Sequence, residues 1–125
     1  MAVEFSFPKI TPEIIAELEA INARFSVQPD DATLPDMQAL DKAFHEVFLR
    51  LAANDFLKNF TDTLRIHVDR AENLYYRMER EFISSAKEHT EIISSLKKDD
   101  LESAKEHMRY NWLHTIEVVS SRKEA

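Results

Sequence analysis

Residues 35–54, PDMQALDKAFHEVFLRLAAN, decide the fold. Met37, Leu40, Phe44, Val47 and Leu51 recur at steps of three and four, the spacing that lines side chains along one face of an α-helix. Pro35 opens the segment, where a fixed φ suits a first helical turn. Asn54 closes it, as a junction and as a favoured N-cap for whatever helix follows. Two residues on this face are not apolar. Asp41 and His45 lie one turn apart, with Cβ atoms about 5–6 Å from each other in a helix.

The same period extends in both directions. Upstream, Thr11-Pro12-Glu13 combines a capping hydroxyl, a proline at the first helical position and an acid near the positive end of the helix dipole. Ile14, Ile15, Leu18, Ile21, Ala23 and Phe25 carry that helix to about residue 25. Residues 26–34, SVQPDDATL, read as a loop. Downstream of Asn54, Leu57, Phe60, Leu64, Val68, Ala71 and Leu74 predict a third helix. The pattern breaks between Tyr75 and Glu81. A fourth helix carries Phe82, Ala86, Ile93 and Leu96, and ends on Lys97-Lys98. Asp99-Asp100 caps a fifth, with Leu101, Ala104, Met108, Trp112, Thr115 and Val119. Residues 1–10 read as a frayed lead, in which only Val3 to Phe7 alternates like a strand, and 121–125 as a frayed tail. The expectation is all-α: one domain over 1–125, an antiparallel bundle of about five to six helices.

Composition narrows the function. The 125 residues contain no glycine and no cysteine, which excludes glycine-rich phosphate loops, dinucleotide fingerprints, thiolate catalysis and cysteine zinc sites. Sixteen Lys and Arg against 23 Asp and Glu give a net charge of −7, unsuited to direct nucleic-acid binding, where phosphate contacts dominate affinity. No apolar run approaches the roughly 20 residues of a membrane span, and the N-terminus has no secretory pattern. The expected location is the cytoplasm. Asp99 is expected at a helix end where glycine is the common terminator.

Polar residues interrupt several apolar stripes. On the third helix the face runs Phe60, Leu64, His67, Ala71, Leu74. On the fourth it runs Phe82, Ala86, His89, Ile93, Leu96. On the fifth, Leu101, Ala104, Met108, Asn111, Thr115 and Val118 place an amide inward. Buried polar groups without partners cost roughly 1–3 kcal/mol each, so a convergent set calls for a compensating ligand. Bundles build metal sites from inward side chains of facing helices, and zinc, nickel and manganese accept imidazole and carboxylate together. The competing reading is a set of hydrogen-bonded core residues and a surface Asp–His pair.

The strings Leu40-Asp41-Lys42-Ala43-Phe44-His45, Leu51-Ala52-Ala53-Asn54-Asp55-Phe56-Leu57 and Glu88-His89-Thr90-Glu91-Ile92, followed by Asp100, Ala104, Met108 and position 111, form an ordered set. Together they resemble the FCD domain, the helical effector-binding domain of GntR-type bacterial transcription regulators. The resemblance runs from about residue 11 to 120. It implies a divalent metal inside the bundle, with Asp41, His45 and His89 as ligands. Asn111 stands where the family usually has histidine, and can ligate through its carbonyl oxygen, more weakly. Alternatively the metal is lost, and His45 and His89 bind an anionic effector directly. His107 and His114 lie one turn either side of Asn111 and read as surface residues. The family's effectors are small organic acids, and Arg65, His67 and Arg70 are candidates to hold one.

The resemblance implies a ligand sensor in transcription regulation, not an enzyme. The winged-helix DNA-binding domain and the usual first helix are not recognised in the sequence. A missing helix predicts an exposed apolar groove and pairing as a homodimer. The alternatives are a dimerisation or interaction module with a decayed pocket, and a metal-dependent hydrolase. Against an enzyme, the chain has no Glu-x-x-His for di-iron chemistry and no His-Glu-x-x-His, which leaves metal-assisted hydrolysis on Asp41, His45 and His89.

Overall fold

The computed structural model describes residues 2–26, 33–75 and 79–124. Among them are six α-helices, a short 3-10 turn and no strand: α1 (Ala2–Ser6), the turn Phe7–Lys9, α2 (Pro12–Ser26), α3 (Leu34–Ala52), α4 (Asp55–Tyr75), α5 (Glu79–Lys97) and α6 (Leu101–Glu124). The all-α expectation holds, and no helix among the described residues is long and apolar enough to cross a membrane.

The helix ends follow from local chemistry. Thr33 closes a capping box on α3: its hydroxyl accepts from Asp36 N, and Asp36 Oδ2 accepts from Thr33 N. Asn54 Oδ1 accepts from Leu57 N at 2.9 Å, as expected of the α4 N-cap. Asp100 does the same for α6, accepting from Ser103 N at 3.1 Å. With no glycine available, Ala53 (φ 51°) and Asp99 (φ 57°) take the left-handed C-terminal positions of α3 and α5. Asp100 N reaches back to Ser95 O at 2.9 Å, the 6→1 bond of a Schellman ending. Residues 27–32 of the expected loop and 76–78 of the expected break lie outside the described residues.

Two expectations at the ends change. Residues 2–10 are not a frayed lead: Val3 on α1 is 2 % exposed and packs with Leu18, Phe44, Phe48, Ile92 and Met108 in the main core. The apolar alternation of Val3, Phe5 and Phe7 is therefore helix, with Phe5 left exposed. At the other end, α6 continues to Glu124 where fraying was expected.

The core is built where α2, α3, α5 and α6 meet, with α1 lying against α3 and α6. Phe44, Leu18, Ile92 and Ala104 are fully buried there. A smaller cluster of Phe25, Met37 and Ala86 continues it along α2, α3 and α5. Helix α4 packs against α3 and α6, and closes the side of the bundle on which the polar residues of α3 face inward.

Candidate metal centre

Three of the expected ligands come together. Asp41 and His45 project from α3 and His89 from α5, and all three are buried, at 4 %, 6 % and 0 % exposure. One ligand atom of each lies within 4.8 Å of the others. Asp41 Oδ1 is 3.6 Å from His45 Nε2 and 3.1 Å from His89 Nε2. Donor atoms around one divalent ion sit roughly 3.0–3.5 Å apart, the polyhedron edge for bonds of about 2.0–2.2 Å. The two contacts to Asp41 are close to that edge.

The protonation of His89 sharpens the fit. Asn22 of α2 donates both hydrogens of its amide nitrogen, to Ala86 O and Thr90 Oγ1, each at 3.1 Å. Its oxygen is left to face His89 Nδ1 at 3.1 Å, so Nδ1 carries the proton that bonds it. The lone pair of His89 is then on Nε2. That atom is buried with no hydrogen-bond partner, 3.1 Å from a carboxylate oxygen. Two electron-rich atoms at that distance repel unless a proton or a metal cation lies between them. Coordinating atoms have this arrangement, since each aims at the ion and not at its neighbour. An imidazole whose other nitrogen donates to a second group is the usual support of a metal-binding histidine. The ring is held further by Phe44, stacked at 3.9 Å and 8°, and by Phe25 at 5.3 Å.

Burial alone would push the Asp41 carboxyl up. Attraction to His45 and His89 as proton-bearing rings, and to the charge of Arg65, outweighs it and holds Asp41 well below the usual carboxylate range. With both rings turned to metal binding, Arg65 and the ion would supply that attraction. Burial pushes His45 down, further than the attraction of Asp41 raises it. His45 is thereby favoured in its neutral form, the form that binds metals.

Arg65 of α4 is buried beside this cluster. Its Nη1 donates to Asp41 Oδ2 at 2.8 Å, leaving Oδ1 to the two histidines. Its guanidinium lies 4.9 Å from the Trp112 ring, which itself lies 4.8 Å from His45. Asp69 Oδ1 approaches Arg65 at 3.9 Å. His67, expected inward, is exposed, as is Arg70. On α4 the expected apolar residues Leu57 and Val68 are buried, but Arg65 and not His67 is the polar residue facing inward, and Phe60 is 61 % exposed. A buried Asp41 demands a cation on the facing helix, and Arg65 supplies it.

Asn111 is buried on α6, as expected, but its amide nitrogen donates to Glu88 Oε1 at 2.7 Å. His114 Nδ1 bonds the other oxygen of Glu88, so His114 is half-buried and engaged where an isolated surface histidine was expected. Asn22 and Glu88 were missed in the sequence. Asn22 was legible by the signal used elsewhere, a polar residue at the i+4 step between Leu18 and Phe25.

Beside the centre is a cavity of about 530 Å³. His45 is the one member of the triad on its wall, together with Trp112 and Thr61. Val3, Phe48, Leu49, Leu57, Leu64 and Met108 form its apolar lining.

Comparison with known proteins gives one result: the family model described as FCD domain matches residues 1–112. No curated protein and no solved structure matches the chain. The match takes in every residue of the buried cluster, from Asn22 on α2 to Trp112 on α6, and begins before α1. A helical bundle with an Asp–His–His cluster at its centre and this family match over most of its length places the chain in the FCD domain family, the ligand-sensing regulatory domains of GntR-type regulators.

Proposed function

We propose that this domain holds one divalent metal ion on Asp41 Oδ1, His45 Nε2 and His89 Nε2, and senses a small carboxylate that binds beside it. The observation that carries the reading is the buried, unpartnered Nε2 of His89 facing Asp41 Oδ1. Asn22 sets the tautomer of His89, and Arg65 holds the second oxygen of Asp41. Asn111 can join only through Oδ1, because Glu88 takes its nitrogen. A donor set of two imidazoles and carboxylate or carbonyl oxygens suits zinc, nickel or manganese. When bound, such an ion supplies a Lewis-acidic centre with positions open to a carboxylate. The domain acts by a shift in bundle geometry on effector binding, in a regulator of the cytoplasm, and catalyses no reaction.

The test is elemental analysis of the purified chain, with thermal shift against zinc, nickel and manganese salts. The expected result is close to one equivalent of metal and a higher Tm on metal addition. Both effects should be lost in His89→Ala and in His45→Ala. Unchanged metal content or unchanged response in both variants sinks the assignment.

A further inference from the structure

The lining of the cavity beside His45 bears on what the sensed molecule is. Its volume, about 530 Å³, is that of a small-molecule site. The apolar side chains come from four helices: Val3 from α1, Phe48 and Leu49 from α3, Leu57 and Leu64 from α4, and Met108 from α6. The uncharged polar groups on the wall are Thr61, the indole of Trp112 and His45 itself. The charged ones, Glu102, Lys105, Glu106 and Arg109, all belong to α6. Glu102 and Lys105 already approach each other at 3.6 Å. A sugar acid or other polyhydroxylated molecule placed against the walls from α1, α3 and α4 would surrender its water where only Thr61 and His45 offer partners.

The inner end has the opposite character. Asp41 is already balanced by Arg65 at 2.8 Å, and the histidines bring no charge in their ligating form. Asp69 lies against Arg65, and Glu88 is engaged by Asn111 and His114. A divalent ion on Asp41, His45 and His89 therefore adds two positive charges to a pair that is already neutral. Asp69 and Glu88 offset part of that charge, an anionic ligand would offset the rest, and the cavity meets this centre at His45.

We infer that the ligand sensed by this domain is a carboxylate with an apolar aliphatic or aromatic body. Its carboxylate lies at the His45 end, and its body lies among Val3, Phe48, Leu49, Leu57, Leu64 and Met108. The inference rests on the metal reading for the carboxylate end and on the cavity lining for the body.

The experiment is calorimetric titration of the nickel-loaded chain with octanoate, phenylacetate, gluconate, citrate and 1-octanol, repeated on the metal-free chain. Octanoate or phenylacetate should bind at least tenfold more tightly than gluconate, citrate and 1-octanol, and removal of nickel should weaken it at least tenfold. Leu64→Asn should weaken octanoate at least tenfold with nickel stoichiometry unchanged, while Leu64→Met, similar in volume, retains binding. Gluconate or citrate binding as tightly as octanoate overturns the inference, and so does nickel uptake without binding of either apolar carboxylate. If the chain takes up no nickel and octanoate still binds, sensitive to Leu64→Asn, the metal reading falls and the assignment of the apolar body stands.

Discussion

Arg65 shows how a single residue changes meaning between sequence and structure. In the sequence it is a cation near an apolar stripe, suited to holding an effector. In the fold it is 5 % exposed and tied to Asp41, which is 4 % exposed. Removing one member of a buried pair leaves the other charge uncompensated, at a cost of about 3–5 kcal/mol. Arg65→Met should therefore lower stability in urea denaturation by about that amount. Because Asp41 then lacks its cation, added zinc should raise the Tm of Arg65→Met more than that of the unsubstituted chain. An equal zinc response in the two proteins would separate Arg65 from the electrostatics of the centre. Asn22 illustrates a different point at the same scale. One amide, with both hydrogens committed to Ala86 O and Thr90 Oγ1, decides which nitrogen of His89 is free. No spacing rule within a helix could report that, because Asn22 and His89 are 67 positions apart.

Among the elements, period and capping were legible and rotation was less so. The capping box at Thr33 and the N-caps at Asn54 and Asp100 are local, made by side chains within three residues of the bonds they satisfy. The inward faces of α5 and α6 agree with their stripes at Ala86, His89, Ile93 and Leu96, and at Ala104, Met108, Asn111 and Thr115. Helix α4 differs because it has apolar residues on two sides. Phe56, Phe60 and Ile66 remain 82 %, 61 % and 59 % exposed, and the face carrying Arg65 turns inward to meet Asp41. The same scale holds a strain that can be relieved. Ala53 sits at φ 51° after α3, a conformation that costs a residue bearing a Cβ about 1–2 kcal/mol. Ala53→Gly should raise stability by about 1 kcal/mol, a net of that relief and the added freedom of the unfolded chain. The check is the urea midpoint at constant slope; an unchanged or lower midpoint contradicts it.

The whole molecule leaves apolar surface uncovered on α6 as well as α4. Tyr110, Leu113 and Ile116, three residues apart in turn, are 58 %, 53 % and 38 % exposed. Surfaces of this kind on a small domain mark contact with another chain, and a second copy is the occupant expected of this sensor. Light scattering should find a dimer at micromolar concentration, and Leu113→Glu should give a monomer with metal content unchanged. A monomer before substitution would remove this reading without touching the proposed metal centre. By itself the sequence determined the helical class, the caps, the Asp41–His45 pair on α3 and the place of His89 on its face. All of these depend on neighbours within a turn or two, where helix geometry is fixed in advance. Only the tertiary structure decided the rest: that Arg65 and not His67 faces the cluster, that Asn22 directs His89, and that α1 belongs to the core. Those outcomes depend on the relative rotation of helices far apart in the chain. On α4 the rotation buries Leu57 and Val68 together with the Arg65 that pairs Asp41, and a pattern read along one helix does not report a partner on another.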